Sequence, residues 1–449
     1  MEIKADNYTY LTQGAIHKVI VKMALPTIAG MLVIAFYNMA DTFFVGQIDT
    51  QSTAAVGIVF SVMFFIMAVS FFFGNGSGNY ISRELGAQRK ANAETMASTG
   101  FFYALAAGIV MMLVGEVLLT PLSIWLGSTP TILPYTEDYL RIILLGAPLM
   151  TCSFTLNNQM RFQGNAFYSM QGIVSGAIVN VILDPILIFG FDMGVRGAAI
   201  ATVIGQFVGF LVLLSLMRKG GNIPVNLRKV SFSVVYIKEI VAGGTPSLSR
   251  QGLSCVATIL LNVSAAAFGD AAVAAMSIVN RFCLIVMACV IGFGQGFQPF
   301  CGFCYGAGLY RRVKRGFWFS VKTCCVFLLL CCVLGWFFSA DIIELFRRDA
   351  TVIAVGTDAL RWQLAALPLA GLTTISNMLM QTIRKPIRAN LLASARSGLF
   401  FIPLIIVLPR CFGLMGVEMC QAMSDVCSAV ITVPIILSAF REMSAEERT

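Results

Sequence analysis

Residues 67–87 read MAVSFFFGNGSGNYISRELGA, and residues 287–307 read MACVIGFGQGFQPFCGFCYGA. The two stretches begin 220 positions apart and share Met-Ala at the start, Phe-Gly-x-Gly in the middle and Gly-Ala at the end. Matches of Ala or Met arise by chance in apolar sequence, but several glycine matches at one fixed offset are much harder to obtain. The chain is therefore predicted to contain a tandem repeat.

The same offset aligns residues far outside these two stretches. Near the C-terminus the offset becomes 222, where residues 193–195 and residues 415–417 both read MGV. Proline, arginine and asparagine positions agree along the way, which extends the repeat over both halves of the chain. The matched pairs are Pro26 with Pro246, Arg141 with Arg361, Pro148 with Pro368, and Asn157 with Asn377.

The composition places this repeat in a membrane. Of the 449 residues, 58% are hydrophobic and 12% are charged, whereas soluble domains have roughly 45–50% apolar and about 25% charged residues. A spanning helix needs roughly 20 apolar residues, and about twelve such units fit the chain. The predicted spans are 16–46, 52–82, 95–120, 134–160, 166–190, 195–217, 236–268, 272–304, 315–338, 353–381, 387–408 and 413–440.

Charged residues in the predicted loops alternate between two sides. Basic residues cluster in loops at 83–90, 218–229, 311–315 and 384–388, whereas the alternate loops are mostly acidic. Basic loops face the cytoplasm, so both termini are expected there and the number of spans is even. This bias accounts for the net charge of +9 without a nucleic-acid partner. The polar N-terminus lacks the pattern of a cleaved signal peptide.

These observations predict an all-α polytopic membrane protein of twelve transmembrane helices, arranged as two parallel six-helix repeats. Each repeat has an even number of spans, so both have the same orientation and are related by an axis along the membrane normal. That arrangement is typical of one class of secondary transporter. The predicted units are an N-lobe at 1–217, a cytoplasmic linker at 218–235 and a C-lobe at 236–449.

Four of the acids inside predicted spans stand out, because a charge within a span costs on the order of 2.5–3.5 kcal/mol; they are Asp41, Glu116, Asp184 and Asp425. Glu116 is expected to lie close to the outer surface. For Asp425, a structural role in helix packing and a functional role are equally compatible with the sequence. Asp184 has a useful neighbour, because Asn180 lies four residues earlier on the same helical face. Pro185 frees a backbone carbonyl one turn earlier. A carboxylate, a side-chain amide and a free backbone carbonyl together suit a small cation. The same carboxylate is equally suited to carry a proton.

The repeat shows where these acids are missing. Asp41 aligns with Leu261 at the offset of 220, and Asp184 aligns with Ile406 at the offset of 222. Both halves have similar packing requirements, so acids in one half alone predict a functional site in the N-lobe. The alternative is a hydrogen-bonded pair that only holds helices together.

Two stretches carry a family resemblance. Residues 24–48 read ALPTIAGMLVIAFYNMADTFFVGQI, and residues 180–202 read NVILDPILIFGFDMGVRGAAIAT. Over nearly the whole chain, the sequence resembles the multidrug and toxic compound extrusion (MATE) family. The resemblance implies a cation site formed by Asp41, Asn180, Asp184 and Thr202, which would be a monovalent metal site if the ion is Na⁺. It also implies a gating kink at Pro26. A second family branch has acids in C-lobe helices 7 and 10, and this pattern is not matched.

The expected function is secondary active efflux of organic compounds, often cationic, by Na⁺ or H⁺ antiport through alternating access. The alternative is a lipid-linked oligosaccharide flippase of the same superfamily. No Walker A pattern, zinc motif or nucleophile elbow occurs in the sequence, so an enzyme is not expected. The expected partners are small amphipathic organic substrates and the lipid bilayer, with no cofactor beyond the coupling ion. A monomer in the bacterial inner membrane is expected.

Overall fold

The computed structural model describes residues 2–219 and 222–447, and these residues form helices without any β-strand. Twelve long helical segments confirm the predicted spans, and ten of them have both the length and the apolarity to cross a membrane. We number them α1 Ile16–Val45, α2 Thr50–Gly86, α3 Lys90–Val117, α4 Leu133–Phe162, α5 Ala166–Gly190, α6 Gly194–Lys219, α7 Val234–Ala266, α8 Asp270–Gly306, α9 Tyr310–Phe337, α10 Ala350–Thr382, α11 Pro386–Phe412 and α12 Leu414–Glu446.

Short helices accompany the spans and were not predicted. They are Glu2–Gln13 before α1, Leu119–Trp125 after α3 and Ser339–Phe346 after α9. The last two occupy equivalent places in the two repeats, where the chain leaves the third span of each lobe. The predicted edges differ from the observed ones by several residues, and α12 extends furthest, to Glu446.

The segment between the lobes is anchored to the N-lobe. After the helix that ends at Lys219, residues 220 and 221 of the predicted linker lie outside the described residues. Further along, the backbone N–H of Ile223 donates to Gln163 Oε1 at 2.6 Å, and that of Ser231 donates to Thr99 Oγ1 at 3.0 Å. The lobe boundaries themselves stay a prediction.

Glycines of the repeat mark the places where the two lobes touch. A Cβ on Gly76 of α2 would lie 2.4 Å from the carbonyl oxygen of Ile240 on α7, and a Cβ on Gly296 of α8 would lie 2.4 Å from Ala24 Cα on α1. Only a residue without a side chain permits such close approach. The matched glycines that revealed the repeat are therefore equivalent contacts across the lobe interface.

A charge cluster around the buried Glu239 closes one end of this interface, the end that carries the basic loops. Glu239 of α7 forms ion pairs with Arg83 of α2 at 2.7 Å and with Arg384, which follows α10, at 2.6 Å. Arg83 also donates to the carbonyl oxygen of Thr382 at 2.8 Å. Arg83 therefore joins the lobes at the basic end through charge-assisted contacts to Glu239 and Thr382, and Arg384 binds the same carboxylate from within the C-lobe.

Candidate cation site

Three helices of the N-lobe bring together the residues that the resemblance implies. Asp41 lies on α1, Asn180 and Asp184 on α5, and Thr202 on α6, and each is at most 5% exposed. Asn180 Nδ2 donates a hydrogen bond to Thr202 Oγ1 at 3.3 Å. The carboxyl groups of Asp41 and Asp184 are close enough to interact electrostatically. The predicted residues therefore form one cluster.

Several oxygen atoms of this cluster have no hydrogen-bond partner. Within the described part of the chain, these are Asp41 Oδ1, Asn180 Oδ1 and both carboxyl oxygens of Asp184, all buried. Buried polar atoms are normally satisfied, because leaving one unpaired costs free energy. Carboxylate and amide oxygens are the donors that hard cations such as Na⁺ prefer, and a proton satisfies a carboxylate equally. The cluster therefore fits a bound cation.

Two tyrosines and a glutamine complete the surroundings and were missed by the sequence analysis. The phenol of Tyr139 on α4 lies beside Asp41, Asp184 and Thr202. Tyr37 lies one turn before Asp41, close enough to interact electrostatically with that carboxyl, and its phenol forms a hydrogen bond with Gln206 on α6. The spacing of four residues could have revealed Tyr37. No local pattern could have revealed Tyr139, since about a hundred residues separate it from Asp41.

Small residues set the distance between α5 and α6. A Cβ on Gly176 would lie 2.7 Å from the carbonyl oxygen of Gly205, and a Cβ on Gly205 would lie 3.0 Å from the Cβ of Asn180. The backbones of the two helices are therefore almost in contact, as in other small-xxx-small pairs within membranes. This approach is what allows the Asn180 amide to reach Thr202.

The backbone of α5 changes character directly after Asp184. Pro185 has no N–H to donate to Val181, four residues earlier, and a π-helical turn follows at Ile186–Gly190. Such turns occur often at functional sites, where they redirect side chains. The C-lobe has a π turn in its equivalent helix, at Ala395–Leu399 of α11. By the offset of the repeat, the C-lobe turn aligns about three helical turns before the N-lobe turn, so only the turn in α5 directly follows an acid.

Two adjoining cavities connect this cluster to the predicted kink. The first contains about 440 Å³ of atom-free space and is bordered by Asn180 and Thr202. The second contains about 330 Å³ and is bordered by Pro26 and Thr27 of α1. Asn157 borders both. Thr27 Oγ1 also contacts the Gly292 carbonyl oxygen on α8 at 2.7 Å, so the proline region lies at the lobe interface.

Two other acids within the spans, Asp425 and Glu116, have basic partners. Asp425 on α12 forms an ion pair with Arg396 on α11, with 2.7 Å between Oδ1 and Nε, and Gln421 also donates to it at 3.0 Å. Glu116 lies 3.6 Å from Arg141. Their charges are compensated within the protein, which distinguishes both residues from Asp41 and Asp184.

A duplicated six-helix bundle, with buried acids in one copy and cavities beside them, is the arrangement of transporters built from parallel repeats. The chain is 25% identical over 447 residues to the multidrug export protein MepA of Staphylococcus haemolyticus, covering 99% of this chain and 98% of the relative. The MepA protein of Staphylococcus saprophyticus is 26% identical over 436 residues, which cover 97% and 96%.

A solved structure shows the same fold. It is described as the outward-facing conformation of a multidrug resistance MATE family transporter, and it matches 98% of this chain and 99% of its own at 24% identity with a TM-score of 0.92. The MatE family model matches residues 26–186 and 246–407, two ranges that begin 220 residues apart. The chain belongs to the MatE family of efflux transporters.

Proposed function

We propose that this protein exports amphipathic organic compounds in exchange for Na⁺ or H⁺, with the inward-moving cation held by Asp41, Asn180, Asp184 and Thr202. The observation that carries the proposal is the set of buried oxygen atoms without hydrogen-bond partners in the N-lobe. A buried carboxylate pair is costly unless a positive charge joins it. The pair therefore supplies a binding free energy for a cation.

Coupling requires the cation to prefer one conformation of the transporter over another. The lobes touch at the end with the basic loops, which the positive-inside rule assigns to the cytoplasm. In this arrangement the ion pair of Arg83 with Glu239 closes the interface between the lobes at that end. Pro26 lies on α1, the same helix as Asp41, so cation binding and the bending of α1 act on one element.

The proposal is tested by transport in reconstituted vesicles. Dye efflux is measured under a Na⁺ gradient alone and under a pH gradient alone, and one of the two is expected to drive it. Asp41→Asn is expected to abolish driven efflux while the protein still reaches the membrane. Asp192→Asn is the matched control, because Asp192 is exposed and has a φ of 53°, a conformation that asparagine tolerates. Normal driven efflux by Asp41→Asn would contradict the site assignment.

The proposed setting is a monomer in the bacterial inner membrane with both termini in the cytoplasm. The support is the distribution of basic loops and the even number of spans. Tags at either end that are labelled only after permeabilisation of spheroplasts would agree with this orientation, and labelling of intact spheroplasts would overturn it.

The alternative of a lipid-linked oligosaccharide flippase predicts a large cationic cavity. The buried acids Asp41 and Asp184 favour a bound cation over an oligosaccharide pyrophosphate at the N-lobe site. Transfer of a fluorescent lipid-linked sugar across the bilayer, without driven dye efflux, would favour the flippase.

A further inference from the structure

The second cavity, beside Pro26, contains a buried guanidinium that no acid compensates. Arg161, in the last turn of α4, is 2% exposed and borders this cavity. Its Nη1 donates to Gln295 Oε1 at 2.6 Å and its Nη2 to Asn75 Oδ1 at 3.1 Å, and both acceptors are neutral amides. Its buried Nε has no hydrogen-bond partner among the described residues.

A second guanidinium repeats the pattern on the other lobe. Arg250 of α7 donates to Asn377 Oδ1 at 3.0 Å, and it interacts electrostatically with Arg161. No described carboxylate lies within 4.0 Å of either residue, whereas Arg83 and Arg396 each have an acidic partner. Charges within a membrane protein are usually paired. Arg161 borders the second cavity and Arg250 lies near enough to interact with it, so two unpaired like charges leave a place for an anion at this end of the cavity.

The repeat shows that packing does not require the charge of Arg161. At the offset of 220, the equivalent residue is Gln381 on α10. Its Nε2 donates to the Gly243 carbonyl oxygen at 2.5 Å and to Ser247 Oγ at 2.8 Å, and its Oε1 accepts from Gln298 at 3.2 Å. At the equivalent position of the C-lobe, a neutral glutamine thus makes all the hydrogen bonds that the packing requires. The phenyl ring of Phe162, 5.0 Å from the Arg161 guanidinium, compensates its charge only in part.

The rest of the cavity wall is apolar and adaptable. Its lining includes Met31, Ile34, Phe71, Phe154 and Met170. Methionine and phenylalanine accept varied ring systems with little loss of contact. A molecule that fits this cavity therefore has an apolar body and a negatively charged end, because arginine binds carboxylate and phosphate groups through paired hydrogen bonds.

We propose that Arg161 and Arg250 form a recognition site for the anionic group of an amphipathic substrate, a carboxylate or a phosphate. This proposal rests on the proposed transport function and narrows its substrate class. The family resemblance implies organic cations, whereas this cavity selects amphipathic anions and zwitterions. The anionic end lies against the two arginines, and the apolar body extends along α1 toward the cation site.

The test is equilibrium binding to the purified, full-length protein in lipid nanodiscs without an ion gradient. The probes are 1-pyrenebutyrate and 4-(1-pyrenyl)butylamine, which share one ring system and differ in charge, and binding is followed by energy transfer from tryptophan. The butyrate is expected to bind more tightly. Arg161→Gln, which copies Gln381, is expected to weaken butyrate binding by roughly 10- to 100-fold. It is expected to leave amine binding the same or stronger.

Two further variants make the result decisive. Arg250→Gln tests the second guanidinium and replaces Arg161→Gln if that variant fails to fold, and it is expected to weaken butyrate binding as well. Arg347→Gln removes an exposed arginine and is expected to change nothing. Equal butyrate affinity in the wild type and the folded cavity variants, or tighter binding of the amine to the wild type, would overturn the proposal.

Competition identifies the source of the anionic group. Displacement of butyrate by inorganic phosphate indicates a free anion, displacement by phosphatidic acid in the nanodisc indicates a lipid phosphate, and displacement by neither indicates an organic acid. All three outcomes support an anion site. Because no gradient is applied, failure of this binding test leaves the proposed antiport intact. Normal driven efflux by Asp41→Asn, which would contradict the cation site, leaves the anion site intact.

Discussion

The two lobes share a scaffold but treat buried charge in opposite ways. In the N-lobe, Asp41 and Asp184 are buried together, and no described basic residue forms an ion pair with either. In the C-lobe, Asp425 is equally buried but forms an ion pair with Arg396. Leu261 occupies the place equivalent to Asp41, and each is 5% exposed. The same structural position therefore accepts an acid or a leucine, so folding does not require the acid.

The equivalent hydroxyls show the same contrast. Thr202 of the N-lobe aligns with Ser424 at the offset of 222. Thr202 accepts a hydrogen bond from Asn180 inside the acid cluster, whereas Ser424 Oγ donates to the Arg396 carbonyl oxygen at 2.6 Å. The N-lobe oxygen atoms are thus free to bind a cation, whereas the carboxylate of the C-lobe is already ion-paired with Arg396.

The largest effect is expected from making the N-lobe resemble the C-lobe. Asp41→Leu copies Leu261 and removes a cation ligand, and charged contacts of this kind contribute roughly 1.5–3 kcal/mol each. With the Asp184 contact also weakened, driven efflux is expected to fall by about 100-fold or more. Thermal stability in detergent is expected to stay the same or rise, because a desolvated carboxylate is lost. Efflux near the wild-type rate would show that the Asp41 carboxyl is not needed for coupling, and the proposed difference between the lobes would be wrong.

The next effect is expected in the C-lobe and concerns stability. Asp425→Asn leaves Arg396 without its partner and is expected to lower the free energy of unfolding by roughly 3 kcal/mol. Replacing both residues with leucine is expected to restore stability to within about 1 kcal/mol of the wild type. The double variant is expected to retain cation-driven efflux. Thermal melting and vesicle transport measure the two quantities, and loss of coupling in the double variant would assign the C-lobe a direct role.

A smaller effect is expected from separating α5 and α6. A methyl group on Gly205 meets the Gly176 carbonyl oxygen at 2.7 Å and the Asn180 Cβ at 3.0 Å. Gly205→Ala is therefore expected to lower the free energy of unfolding by roughly 1–3 kcal/mol and to weaken cation binding by moving Asn180. Gly252→Ala is the control, since nothing lies within 4 Å of its added Cβ. Equal melting temperatures for the two variants would contradict close packing.

The smallest effect is expected from Tyr139→Phe. The phenol lies beside both N-lobe acids, and its aligned position in the C-lobe is Ala359. Loss of one hydroxyl contact contributes about 0.5–1.5 kcal/mol, so the cation concentration for half-maximal efflux is expected to rise by roughly 2- to 10-fold. The maximal rate is expected to change less. No shift in this concentration would remove Tyr139 from the site.

Much of the fold could be predicted from the sequence. Composition identified the membrane, and matched glycines such as Gly76 and Gly296 identified the repeat. These signals are readable because lipid imposes long apolar helices and because close helix contacts restrict certain positions to glycine. The π turns of α5 and α11 were not predicted, since backbone hydrogen-bond shifts of this kind depend on the packing of neighbouring helices.

The site was only partly predictable, for a related reason. Asp184 and Asn180 lie on one helical turn, so their common face could be read from their spacing. The ion pair of Asp425 could not be predicted from spacing, because its partner Arg396 is 29 residues away and tertiary structure sets the side-chain directions. The same holds for Arg161, whose partners Asn75 and Gln295 come from α2 and α8.

Cation stoichiometry is the most direct test of the difference between the lobes. Binding of ²²Na⁺ and substrate-triggered proton release are measured on the purified protein, on Asp184→Asn and on the double leucine variant of Arg396 and Asp425. The account predicts a single cation, Na⁺ or H⁺, for the wild type and the double variant, and none for Asp184→Asn. Undiminished cation binding by Asp184→Asn, or its loss in the double variant alone, would contradict it.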